Sequence, residues 1–195
     1  LVAGILKHSG MFRKNEDLSN VSMDSNSIER ERGITILAKT TAIDYKGVRI
    51  NILDTPGHAD FGGEVERGLS MVDGVVLLCD SAEGPLPQTR FVLEKALNKK
   101  LPIIVVINKI DRPDSRAEEV LDEVYALLLE LSSDESILEV PVFYANGREG
   151  RCGLSLDDVK DNMFLLLDAI LEHIPAPEYD EEERRNNSRN SRCSC

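Results

Sequence analysis

An α/β fold, with a mostly parallel sheet and helices on both faces, is predicted by three observations. Short apolar strands alternate with helical patterns along the chain. The strands Val75-Val76-Leu77-Leu78-Cys79 and Ile103-Ile104-Val105-Val106-Ile107 are unbroken apolar runs, the signature of strands covered on both sides. Asp54, Asp80, Asn108 and Ala145 all fall at strand ends, where sheets of this kind bind ligands.

Each element follows from local pattern. Leu1-Val2-x-x-Ile5-Leu6 has the apolar spacing of a helix that stops near Gly10. Residues 11–32 are polar and irregular and end in Glu29-Arg30-Glu31-Arg32. Two strands are expected at 34–45 and 48–54, joined by a Lys46-Gly47 turn, and the second runs straight into Asp54. Helices are expected at 61–72, Pro87–Lys99, Ala117–Leu131 and Asp157–Ile174, with a further strand at Val140–Tyr144. After Pro175-Ala176-Pro177 the character changes, and residues 181–192 contain no apolar side chain. Such a segment cannot bury a core. Residues 1–180 are therefore read as one domain, and 181–195 as a disordered or artefactual tail.

Composition narrows the function classes. Of the 195 residues 42% are hydrophobic, enough for a core, and the net charge is -12. That charge argues against gripping DNA by nonspecific electrostatics, which needs clustered Lys and Arg. No apolar run approaches the length of a membrane span. The four cysteines, Cys79, Cys152, Cys193 and Cys195, show no disulfide framework, which fits a reducing compartment such as the cytoplasm. The chain starts at Leu1 rather than Met, so it is expected to be an internal piece. Any targeting peptide would then lie upstream, which leaves an organelle open as the location.

The chemistry concentrates in three short stretches. Asp54-Thr55-Pro56-Gly57-His58 closes the second strand. A carboxylate at a strand mouth can hold a water on Mg²⁺, an ion that keeps several waters and takes few protein ligands. Gly57, without a side chain, lets its backbone N–H come close to a phosphate, and His58 is placed to orient an attacking water. The same residues also make an ordinary turn. Thr35, after Gly33-Ile34, could add a hydroxyl to the Mg²⁺ shell or simply open a strand. Asn108-Lys109-Ile110-Asp111 follows five β-branched residues. The Asp111 carboxylate can accept from both N1–H and N2–H of guanine, which adenine does not offer. Asn108 can tie neighbouring loops together, and the Lys109 stem can lie along the base. Paired hydrogen bonds of this kind discriminate strongly, because the wrong base leaves groups unpaired.

Met23-Asp24-Ser25-Asn26, Glu31-Arg32-Gly33-Ile34-Thr35-Ile36, the run from Asp54 to Arg67, Pro87-Gln88-Thr89-Arg90-Phe91-Val92 and Asn108-Lys109-Ile110-Asp111-Arg112-Pro113 together resemble the translational GTPases. Asp60-Phe61-Gly62-Gly63-Glu64 and Leu37-Ala38-Lys39 look most like the TypA/BipA branch. The resemblance implies a P-loop NTPase-like three-layer sandwich that binds GTP or GDP with Mg²⁺ and hydrolyses GTP on the ribosome. Thr35 and Asp54 would serve the metal, and His58 would be the catalytic histidine. Asp54, Thr55, Pro56, Gly57 and His58 would face the phosphates. Asn108, Lys109, Ile110 and Asp111, with Ala145 and Asn146, would form the base site.

Three departures accompany the resemblance. No G-x-x-x-x-G-K-[S/T] phosphate loop is present, and no glycine is followed by lysine; by resemblance this loop and the first strand would precede Leu1. Asn146 stands where the family carries Ser. The β-barrel expected after Pro177 is missing as well. A phosphate loop supplies backbone donors, a Lys and a hydroxyl. Hydrogen bonds to charged groups are worth about 1.5–3 kcal/mol each, so four amount nominally to about 6–12 kcal/mol. A micromolar ligand has only about 8 kcal/mol in total. The stretch alone is therefore expected to bind GTP poorly, its parent being the GTPase. The competing readings are a non-catalytic interaction module on a degenerate GTPase fold, and an ATP-directed relative, against which Asp111 speaks.

Overall fold

A computed structural model describes residues 1–8, 38–55, 62–132 and 135–177. Its helices are α1 (Val2–His8), α2 (Gly62–Leu69), α3 (Pro87–Asn98), α4 (Ala117–Leu131) and α5 (Phe164–His173). Its strands are β1 (Lys39–Tyr45), β2 (Val48–Asp54), β3 (Val75–Asp80), β4 (Ile103–Asn108), β5 (Val142–Asn146) and β6 (Arg151–Gly153).

β4 shows why the sequence folds this way. Its five apolar residues are 0–5% exposed, and they divide by parity. Ile103, Val105 and Ile107 pack with α2, α3 and α4, whereas Ile104 and Val106 pack with α1 and α5. Side chains of a strand alternate between faces, so a strand apolar throughout must be covered twice. The three-layer α/β arrangement follows. β3, β4 and β5 run parallel in register, with Asp80 opposite Asn108 and Asn108 opposite Ala145. β6 adds an antiparallel edge that the sequence pattern does not predict, because three residues including Gly153 carry no periodicity.

β1 and β2 form a separate antiparallel hairpin, not hydrogen-bonded to the four-stranded sheet. Its turn needs two left-handed residues, and Lys46 (φ 49) and Gly47 (φ 80) supply them. Packing, not strand pairing, fixes the hairpin to the rest. Ile43 is fully buried in the cluster that contains Leu166 and Leu167 of α5. The Tyr45 hydroxyl and Lys46 Nζ donate to Asp168 Oδ1 at 2.9 and 2.6 Å.

Some boundaries differ from expectation. β5 extends to Asn146, so Ala145 and Asn146 lie within the strand end. α5 begins at Phe164, not near 157, because Leu156–Asp158 forms a single 3₁₀ turn and Lys160 then exchanges backbone hydrogen bonds with Cys152 at 3.0 and 3.1 Å, which holds it in a β-bridge. The first strand begins at Lys39; residues 34–37 lie outside the described residues, as do residues 11–32 and the tail 181–195. Among the described residues no helix is long and apolar enough to cross a membrane.

Candidate functional site

The carboxyl ends of β2, β3, β4 and β5 carry Asp54, Asp80, Asn108 and Asn146. Among the residues predicted for the site, Thr35, Pro56, Gly57 and His58 lie outside the described residues. Asp54 and Thr55 are half-buried at the end of β2. Asn108, Lys109, Ile110 and Asp111 leave the end of β4, and Ala145 and Asn146 close β5 beside them. One cleft of about 1300 Å³ is lined by Asp54 and Thr55 on one side and by Asp80, Asn108 and Lys109 on the other. It exceeds the roughly 300–1,000 Å³ of an ordinary ligand pocket. The reason is its shape: the strand-end site continues into the gap between the hairpin and the four-stranded sheet, past Ile52 and Val76.

The loop after β4 is tightly braced. The Asn108 side-chain oxygen accepts from Gly147 N at 2.9 Å, which ties the loop after β4 to the loop after β5. Gly147 has to be glycine here. A Cβ would stand 2.8 Å from the Leu1 nitrogen and 3.1 Å from the Asn108 side-chain oxygen. Ile110 N donates to the Ala145 carbonyl at 3.4 Å. Asn146 is buried, and its side-chain oxygen accepts from Glu149 N at 3.2 Å, so the carboxamide helps close its own loop. Lys109 adopts a left-handed backbone (φ 63), uncommon outside glycine.

Three further residues, not singled out by the sequence reading as site residues, complete this loop. Ser81 is fully buried; its N–H donates to the Asn108 carbonyl at 2.8 Å and its hydroxyl to the Lys109 carbonyl at 2.9 Å. Asp80 Oδ2 meets Lys109 Nζ at 2.7 Å and Arg112 Nη1 at 3.3 Å. Burial pushes the Asp80 carboxyl up, but hydrogen bonds from Lys109 and the Ala82 N–H outweigh it and hold the group below the usual carboxylate range. Arg112 also donates to both Asp114 oxygens, at 2.8 and 2.7 Å. Asp80 was legible only as a strand-end residue; its partners depend on the β3–β4 register. Asp111, between the two cations in sequence, is exposed and, among the described residues, has no hydrogen-bond or ion-pair partner. An exposed acceptor two residues beyond the cleft-lining Lys109, on a braced loop, suits a flat ligand with two adjacent N–H donors.

The donor set can also be tested against a divalent cation. Among the described residues no group of three or more His, Cys, Asp or Glu could hold one alone. Asp54 at the cleft fits an ion that takes few protein ligands and keeps its waters.

Comparison with known proteins gives the family of the chain. The family model described as the elongation factor Tu GTP binding domain matches residues 1–176. The large ribosomal subunit assembly factor BipA of Bacillus subtilis is 57% identical over 183 residues, covering 94% of this chain. BipA of Synechocystis is 54% identical over 91% of this chain, and the chloroplastic elongation factor TypA-like SVR3 of Arabidopsis thaliana is 49% identical over 93%. The chain spans only 27–30% of the length of these relatives. Among solved structures, elongation factor SelB from Methanococcus maripaludis in complex with the GTP analogue GppNHp superposes with a TM-score of 0.61 at 23% identity, over 75% of this chain and 30% of that one. A bacterial selenocysteine-specific elongation factor gives 0.62, also at 23% identity, over 77% and 24%. These last two likenesses concern the fold.

Proposed function

Since the chain belongs to the elongation factor Tu GTP binding domain family, we propose that it is the nucleotide-binding part of a TypA/BipA-like GTPase that acts on the ribosome. The observation that carries the reading is the cleft itself, lined by Asp54 at the end of β2 and by Asn108 and Lys109, the first residues of the braced loop that runs on to Asp111. Asp111 would accept from the guanine edge. Asn108 would hold the two base-site loops together, with Lys109, Ile110, Ala145 and Asn146 completing that side. Asp54 with Thr35 would hold Mg²⁺, which when bound neutralises charge on the phosphates. Thr55, Pro56 and Gly57 would line the phosphates, and His58 would orient the attacking water. The phosphate-binding loop and its strand would come from sequence preceding Leu1. The gap between β2 and β3, neither of which pairs with the other, supports this arrangement. Residues 1–180 form the domain in this reading, and 181–195 a tail outside it. The ribosomal role rests on the names of the relatives at 54–57% identity. The proposed location is the cytoplasm or, as the chloroplastic relative suggests, an organelle.

GTP turnover by the complete gene product with ribosomes is the test. The expected result is Mg²⁺-dependent hydrolysis that a His58→Ala variant loses by at least about a hundredfold while retaining GDP binding. Absence of saturable GDP binding in the unaltered protein would favour the non-catalytic interaction module instead.

A further inference from the structure

The base-reading loop poses an electrostatic problem that the reading above leaves open. Asp111 must present a free carboxylate, yet Lys109 and Arg112 flank it in sequence. Either cation could fold onto that carboxylate and occupy the atoms a guanine edge would need. In the structure neither does. Both reach back to Asp80 Oδ2, at 2.7 and 3.3 Å.

Asp80 is built for this. Its side chain is 11% exposed. Its other oxygen, Oδ1, accepts from Ala82 N at 2.9 Å and Glu83 N at 3.4 Å, which fixes the orientation of the carboxylate. Arg112 is held from its far side by Asp114. Ser81, next in the chain, bonds the carbonyls of both Asn108 and Lys109 and so supports the left-handed turn at Lys109. The β3 end therefore controls the backbone of the loop through Ser81 and its cations through Asp80.

We propose that Asp80 and Ser81 are positioning residues for base recognition, and that Asp80 draws Lys109 and Arg112 away from Asp111 so that its carboxylate stays available to the guanine N1–H and 2-amino group. This rests on the guanine-reading role proposed for Asp111. It makes a specific claim about the 2-amino group, because inosine differs from guanosine only in lacking it.

The test uses the complete gene product, with fluorescent GDP displaced by GDP or IDP. Asp80→Asn keeps the shape and the acceptor for Ala82 N but removes the charge. It is expected to weaken GDP binding about tenfold and IDP binding less, so that the GDP-to-IDP preference falls by at least about threefold at one site per molecule. Ser81→Ala, which removes only a hydroxyl, is expected to weaken both nucleotides by about threefold to tenfold. A merely structural role would lower the number of active sites or the melting temperature without changing the GDP-to-IDP preference of the folded molecules. Unchanged preference in Asp80→Asn, or unchanged affinity in Ser81→Ala should the first variant not fold, overturns the proposal. If the unaltered protein shows no saturable GDP binding, the guanine-reading role falls and this inference with it. If it binds GDP and the variants match it, only the positioning role is lost.

Discussion

The two sides of the cleft are built differently. On the base side, β3, β4 and β5 are hydrogen-bonded in continuous parallel register, and their ends are cross-tied by Ser81, Asn108 and Gly147. On the side proposed to face the phosphates, β2 ends at Asp54 beside a gap, and its hairpin is held by Ile43 and by Asp168 on α5 rather than by the sheet. A ligand site inherits the rigidity of the elements that carry it. The residues proposed to read the base sit on a preorganised frame, whereas Asp54 sits on a strand that, among the described residues, pairs only with its hairpin partner.

The largest expected effect tests that contrast directly. Unpaired strand edges invite association with other chains. The 195-residue stretch alone is expected to aggregate or to melt without cooperativity, and to bind GDP at least about a thousandfold more weakly than the complete gene product. Calorimetry with light scattering and a parallel nucleotide titration would show it. A soluble monomer with a cooperative melt would remove the contrast.

A smaller effect should follow from disturbing the braced side. In Gly147→Ala the new methyl would stand 2.8 Å from the Leu1 nitrogen and 3.1 Å from the Asn108 side-chain oxygen, so the Leu1 backbone must shift and the Asn108 carboxamide must give way. GDP affinity in the complete gene product is expected to fall about tenfold, the range of a lost hydrogen bond to a site residue. Displacement titration checks this, and unchanged affinity would mean that the Asn108–Gly147 tie does not shape the base site.

The smallest effect is electrostatic. The folded-state Asp80 carboxyl lies below its ordinary value. Its ion pairs therefore add stability that is present above the unfolded-state pKa and lost as the pH falls through the lower folded-state value. The stability advantage of the unaltered protein over Asp80→Asn should be flat between about pH 7 and pH 5 and shrink below about pH 4. Urea unfolding across that range measures it, and an advantage that grew toward acid would have the wrong sign.

Much of this contrast was legible in the sequence, and unevenly so. The five β-branched residues of β4 announced a strand covered on both faces, and the structure divides them by parity between two helical layers. The locations of Asp54, Asp80 and Asn108 at strand ends were legible for the same reason, since a buried strand must stop where polar residues begin. β6 was not, because three residues carry no period, and the late start of α5 was not, because it depends on the Lys160–Cys152 bridge, which no helical or strand period encodes. The binding of Lys109 and Arg112 by Asp80 was equally hidden. It exists only because parallel pairing sets Asp80 opposite Asn108, a register that no local pattern encodes.

The central claim is that Asp111 on the braced side reads guanine. Xanthine carries a carbonyl where guanine has its 2-amino group, so replacing the Asp111 carboxylate by an amide should exchange the preferred base. The measurement is competitive displacement of fluorescent GDP or XDP from the complete gene product and its Asp111→Asn variant. The unaltered protein is expected to prefer GDP over XDP by at least about a hundredfold, and the variant to reverse the order. An unaltered protein that binds both nucleotides alike, or a variant that still prefers GDP by the original margin, would contradict the account.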